Sequence, residues 1–104
     1  MDYKVVITSD AEEDLERFIR YLVLEKLNEQ AAVNVLLDFE ETKKTLSRSA
    51  GSLKLCDNPR LCIYGYRKIR FLSHRYYMLY RIEGDVVIVD SIFHELQDFE
   101  NKIR

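Results

Sequence analysis

Little in this chain would keep it unfolded or force it into a special architecture. Of its 104 residues, three are Gly, one is Pro and two are Cys. So few breakers exclude collagen-like repeats, flexible linkers and compositional disorder. Cys56 and Cys62 lack the spacing of a four-ligand zinc site, and a bridge between them would close only a small loop. They read as reduced thiols. There are two His and no His/Cys/carboxylate cluster at ligand spacing, so no metal is expected. No apolar run approaches the ~20 residues of a membrane span. Val5-Val6-Ile7 behind Met1 is too short for a signal core. A cytoplasmic protein without membrane contact is expected. No phosphate-binding glycine loop, nucleophile elbow, Ser-His-Asp set or helical metal motif occurs, so no cofactor is expected.

What is present suits a folded domain. The chain is 47% hydrophobic and 33% charged, with seven Tyr and five Phe to build a core. Residues 1–104 read as one domain. A chain of this length buries roughly 65% of its unfolded surface, which suffices without disulfides or metal.

The formal charge of −2 conceals an asymmetry. Residues 1–50 carry seven Lys/Arg against eleven Asp/Glu. Residues 58–82 carry six cations (Arg60, Arg67, Lys68, Arg70, Arg75, Arg81) and no acid. Residues 83–104 are again acidic, with six acids against two bases. The middle of the chain therefore presents a positive field that the net charge hides.

Tyr3 to Thr8 is β-branched and aromatic, a short strand. Ser9 with Glu12 fits a capping box, and Glu13 and Asp14 favour the start of a helix. Ala11, Leu15, Phe18, Ile19 and Leu22 mark one face of a helix over about 10–26. Asn28 interrupts. Ala32, Val35, Leu36, Phe39 and Leu46 mark a second helix, with Asp38, Glu41, Lys44 and Arg48 on its polar face. The pair reads as a helical hairpin. Ser47 to Asn58 reads as a loop, and Leu61 to Tyr64 as a short extended piece. Tyr66–Leu72, Tyr76–Ile82 and Val86–Phe93 form an antiparallel meander, turning at Ser73-His74-Arg75 and at Glu83-Gly84-Asp85. Leu96, Phe99 and Ile103 suggest a final short helix. The expected class is α+β: an N-terminal strand, a helical hairpin and a three-stranded meander, with helices on one sheet face.

Alternation puts Arg67, Ile69 and Phe71 on one face of the first meander strand and Lys68 and Arg70 on the other. A cationic face with Tyr nearby suits phosphates and bases, and an acidic protein segment suits it equally. His74 reads as a turn residue. His94 reads either as a strand end or as a general acid or base. Metal-free RNA cleavage needs a base, an acid and cations for the developing phosphorane charge. His94, Glu95, Lys68 and Arg70 supply those types if the sheet gathers them. The many Tyr read mostly as packing residues.

Several pieces, in order, resemble RelE/ParE-type toxins. They are Tyr3-Lys4-Val5-Val6-Ile7-Thr8 followed by Ala11-Glu12-Glu13-Asp14-Leu15, and Ala31-Ala32 at the second helix. Gly65-Tyr66-Arg67, Tyr80-Arg81-Ile82, Val86-Val87-Ile88 and Ile92-Phe93-His94 with Gln97-Asp98 complete the set. The resemblance implies the toxin of a type II toxin–antitoxin pair, with a RelE/ParE-like fold. It also implies an acidic, partly disordered antitoxin that wraps the toxin. On that basis Arg67, Lys68, Arg70, Arg75 and Tyr77 are candidates for binding an anion or the antitoxin.

The family divides by target. ParE-like members poison DNA gyrase, and RelE-like members cut mRNA in the ribosomal A site without metal. The nuclease branch sets basic residues on the first meander strand, which Lys68 and Arg70 match. It usually has an Arg where Tyr77 stands here, and it often ends in a catalytic Tyr or His-Tyr pair. This chain has no Tyr after Tyr80, and Glu95 follows His94. Ile92-Phe93-His94 with Gln97-Asp98 looks more ParE-like. The expected function is gyrase inhibition. The alternatives are an mRNA endonuclease using Lys68, Arg70, Arg81 and His94, or a decayed toxin that only binds its antitoxin.

Overall fold

The structure, a computed structural model, describes residues 2–96. The expected final helix over Leu96, Phe99 and Ile103 lies almost wholly outside the described residues. Strand β1 (Lys4–Ile7) leads into helix α1 (Ser9–Arg20). Thr8, not Ser9, is the cap. Its backbone is extended, and its Oγ1 accepts from the Ala11 N–H at 3.2 Å, whereas Ser9 is already helical. Arg17 and Arg20 in the last turn suit the negative end of the helix dipole. The helix runs on as a π-helical turn, Tyr21–Glu25. Leu27 then takes a left-handed φ of 50°. Asn28 caps the 21-residue helix α2 (Glu29–Ser49), its Oδ1 accepting from the Ala31 N–H at 3.0 Å. Helix α2 thus absorbs Ser47–Ser49, which read as loop, before a short 3₁₀ turn at Ala50–Ser52.

The piece expected to be extended is helical instead. Asn58 caps it through the Arg60 N–H (2.9 Å) and Pro59 occupies its first turn, giving α3 (Pro59–Ile63). A proline there loses no hydrogen bond and its φ is already set for a helix. Gly65 follows at φ +77°, a conformation that favours glycine. The meander is β2 (Arg67–Arg70), β3 (Tyr76–Glu83) and β4 (Val86–His94). Gly84, at φ +63°, makes the β3–β4 turn as its sequence suggests.

The sheet order is β1-β4-β3-β2, with β1 parallel to β4 and the other pairs antiparallel. Leu79 pairs with Ser91 and Tyr80 with Val89, which leaves Asp90 as an extra, bulged residue in β4. Helices α1 and α2 cover one face. Between helices and sheet lies the main core, including Ala11, Val35, Phe39, Leu46, Met78, Tyr80, Val87, Val89 and Ile92. The Tyr80 hydroxyl donates to the Ala50 carbonyl at 2.9 Å, and burial pushes its pKa up to about 12. The outer face carries a smaller cluster of Cys56, Leu61, Leu79 and Phe93, roofed by α3 and the preceding loop. Both cysteines are free thiols. No helix among the described residues is long and apolar enough to cross a membrane.

Two buried acids latch the helices to the sheet. Asp38 does not sit on a wet helix face as its neighbours suggest; it is buried. Its carboxylate accepts from the Leu72 N–H (3.0 Å), the Ser73 N–H (2.9 Å), Thr42 Oγ1 (3.3 Å) and His74 Nδ1 (2.6 Å). A carboxylate only accepts, so His74 carries its proton on Nδ1. On the other helix, buried Asp14 accepts from the Ile92 N–H at 3.0 Å and from Ser91 Oγ at 3.2 Å, and pairs with Arg17. It takes over the edge of β4 where β1 ends. Removing one partner from such a set strands buried donors, at about 1–3 kcal/mol each. Asp38→Ala is therefore expected to lose about 3–5 kcal/mol, a large share of the ~5–15 kcal/mol of a typical domain. Glu41→Ala, exposed on the same helix, is expected to change stability by no more than about 0.5 kcal/mol. Urea unfolding of both variants checks this, and equal midpoints would show that Asp38 is not a latch.

Candidate functional site on the outer sheet face

Alternation along the strands decides which cations can act together. Lys68 pairs with Leu79 and Arg70 with Tyr77, so both stand on the outer face beside the smaller cluster. Both are exposed. The Lys68 ammonium lies 5.2 Å from the centroid of the Tyr77 ring, which stacks on Phe93 at 5.4 Å. These side chains make a cationic and aromatic strip along β2 and β3.

Arg67 is not part of it. It pairs with Tyr80 and shares the side of β2 that Ile69 presents to the helices, with its Nε buried and without a hydrogen-bond partner among the described residues. Arg75 lies at the β2–β3 turn, its Nε 3.4 Å from Glu95.

Arg81 reaches the outer face but is occupied. Its Nε is 3.0 Å from Asp90 Oδ2 and its Nη1 is 3.1 Å from Glu83. The Asp90 oxygen also accepts from the Tyr66 hydroxyl at 2.8 Å. The bulge explains why Asp90 is available: the extra residue in β4 turns its carboxylate toward Arg81 and Tyr66. Hydrogen bonding to Asp90 raises the Arg81 pKa further, and burial together with the Asp90 contact raises that of Tyr66.

His94 belongs to the opposite side. It pairs with Tyr76 on the helix face, its ring edge-on to the Tyr76 ring at 5.3 Å. Its Nδ1 accepts from the Leu96 N–H at 3.2 Å, so a neutral ring carries its proton on Nε2. His94 lines a cleft with Leu22, Val35, His74 and Arg75. The structure therefore gathers Lys68, Arg70 and Tyr77, and it places Arg67 and His94 across the sheet from them. The Asp90–Arg81–Tyr66 network was not foreseen. Its only sequence signal is an acid within the largely apolar run Val86 to Phe93.

A sequence model described as the ParE toxin of a type II toxin–antitoxin system, parDE, matches residues 5–99. Among solved structures, the chain resembles a chromosomal ParDE toxin–antitoxin system from P. aeruginosa. That likeness has a TM-score of 0.69 and 20% identity, and covers 88% of this chain and 95% of the other. It also resembles the RelBE2 toxin–antitoxin complex from Mycobacterium tuberculosis. Here the TM-score is 0.59 and the identity 24%, with 90% of this chain and 99% of the other covered. At these identities the two structures speak for the fold. No curated protein matches the chain.

The geometry makes Asp90, together with Glu83, offset the charge of Arg81 on the outer face. Asp90→Asn is expected to raise the salt needed to elute the protein from heparin and to lower the pKa at which Tyr66 ionises. Salt elution and ultraviolet titration check the two halves. Unchanged elution would mean that Arg81 is not held by Asp90.

Proposed function

The chain belongs to the ParE toxin family of type II toxin–antitoxin systems, and from that premise we propose that it inhibits DNA gyrase and is neutralised by an acidic antitoxin. One observation carries the choice of target: the groups a metal-free nuclease would need are not gathered. Lys68 and Arg70 face outward, His94 faces the helices, and Arg81 is held by Asp90 and Glu83. Proton transfer requires the acid or base within hydrogen-bond reach of the reacting oxygen, which an intervening sheet prevents. The second neighbour, RelBE2, shares the fold and adds no site.

The antitoxin half of the reading rests on charge. Lys68 and Arg70 are exposed beside Tyr77 in a segment without acids, a surface suited to carboxylates around an aromatic anchor. The expected location is the cytoplasm, where both gyrase and ribosomes are found.

Two assays on folded, antitoxin-free protein test the target. Inhibition of gyrase supercoiling with intact message in a translation system is the expected result. Cuts confined to translated mRNA would overturn it in favour of the nuclease, and neither effect would leave an antitoxin-binding protein only. Separately, Lys68→Glu with Arg70→Glu is expected to weaken antitoxin binding by about tenfold or more through lost attraction and new repulsion. Calorimetry showing equal affinity would remove the outer face from that interface.

A further inference from the structure

On the helix side, where β2 turns into β3, two imidazoles and a guanidinium line one cleft of about 310 Å³. They are His74, His94 and Arg75, with Leu22, Val35 and the half-buried Tyr76 among the other walls. The buried Asp38 carboxylate accepts from His74 Nδ1 at 2.6 Å, which leaves Nε2 to a ligand. The His74 side chain is 31% exposed, and its Nε2 has no partner among the described residues. Holding the β2–β3 turn does not call for this contact, since the Leu72 and Ser73 N–H groups already tie the turn to Asp38. A buried carboxylate on one imidazole nitrogen fixes the tautomer and presents the other nitrogen.

The His94 ring is set the opposite way. Its Nδ1 accepts from the Leu96 N–H at 3.2 Å, so in the neutral ring Nε2 is a donor. The cleft therefore combines one acceptor, His74 Nε2, one ring donor, and the Arg75 guanidinium, whose Nε is the nitrogen that meets Glu95. A metal does not fit this set, because a neutral His94 ring whose Nδ1 accepts an N–H has no lone pair on Nε2. The described residues also hold no group of three or more His, Cys, Asp or Glu suited to a metal. An oxyanion that brings a proton does fit. Its O–H donates to His74, and its remaining oxygens accept from His94 and Arg75. A phosphate monoester answers this demand, because its second proton leaves near pH 6 and it has three free oxygens. A carboxylate has no proton near neutrality and offers only two oxygens.

We infer that this cleft binds the phosphate group of a monoester with a small apolar body, which Leu22 and Val35 receive. Asp38 is a positioning residue that holds His74 to share the ligand's proton. With the proton on the ligand, the phosphate O–H donates to His74 Nε2. With the proton on the ring, an imidazolium beside Asp38 donates to the phosphate dianion. Either form holds one proton more than the free dianion and the neutral ring. Binding therefore takes up a proton and weakens as pH rises. The charged and titratable groups around His74 are Asp38 and Glu41 of α2, then Arg75, Tyr76, His94 and Glu95. Burial, and then Tyr21, raise the Tyr76 pKa, so its hydroxyl stays neutral in this range. The site is independent of the gyrase and antitoxin readings.

Calorimetry on folded, antitoxin-free protein tests this with phenyl phosphate slightly above neutral pH, in two buffers of different ionisation heat. Saturable binding with uptake of about one proton per ligand is expected. Phenyl sulfate has the same shape but no proton to share, and is expected to bind about tenfold or more weaker. His74→Asn keeps a donor where Nδ1 stands and removes Nε2. It is expected to lose about tenfold or more in affinity, together with the proton uptake. Arg75→Ala, at an exposed turn position, is expected to weaken binding by about tenfold with the uptake retained, and it reports on the site even if His74→Asn unfolds. A 5′-phosphorylated oligonucleotide and its unphosphorylated twin distinguish the sources of the phosphate. Binding of phenyl phosphate assigns a small ester, whereas binding of the phosphorylated oligonucleotide alone places the phosphate on a nucleic-acid end. No binding of either phosphate at millimolar concentration overturns the site. So does binding without proton uptake, or binding that neither variant weakens.

Discussion

The architecture depends on one arrangement used twice: a buried carboxylate on a helix that accepts hydrogen bonds from the backbone of the sheet. Asp38 of α2 holds the β2–β3 turn through the Leu72 and Ser73 N–H groups, and Asp14 of α1 holds β4 through Ile92. Apolar packing between helices and sheet is non-directional and would tolerate sliding. The two carboxylates fix where each helix sits, because a buried charge is tolerable only with its donors in place. They also govern the chemistry available nearby. Asp38 fixes the tautomer of His74, and Asp14 closes the stretch of β4 that β1 leaves uncovered.

Such latches are hard to see in a sequence because acids usually mark wet faces. The strand alternation and the helical periodicity were legible: Lys68 and Arg70 share a face as their spacing requires, and the hairpin falls where the apolar stripes put it. The signal for Asp38 was also present. It lies three residues after Val35 and four before Thr42, on the arc that those buried residues define. Asp14 similarly lies three after Ala11. An acid in phase with an apolar stripe is a latch or a site, and its donors come from distant strands that periodicity cannot name.

Other features were not legible for stated physical reasons. The helix at Pro59–Ile63 is too short for a periodic signature, so only its cap, Asn58 before Pro59, announces it. The bulge at Asp90 breaks alternation by one residue, and local sequence does not show which strand will carry the extra residue. Grouping cations by nearness in sequence placed Arg67 with Lys68 and Arg70. The period of two already separated them, and the Arg67–Tyr80 pairing shows the consequence.

The bulge sets which groups Arg81 can meet. Without it, residue 90 would have its own partner on β3, and Asp90 would not meet Arg81 and Tyr66 together. With it, the guanidinium of Arg81 sits between two carboxylates and is largely cancelled as a phosphate-binding charge. A nuclease would have to break those contacts and re-aim the side chain, giving up the part-buried hydrogen bond to Asp90, worth about 1.5–3 kcal/mol, and the exposed pair with Glu83, worth at most about 1 kcal/mol. An inhibitor that works by binding needs no such change. It requires a rigid surface with its charges fixed in place, and the Asp90–Arg81–Tyr66 network holds Arg81 in that way. The same network leaves Lys68 and Arg70 as the outward cations of β2, so the positive field of the central segment is concentrated on one strand. An acidic partner would meet the field there.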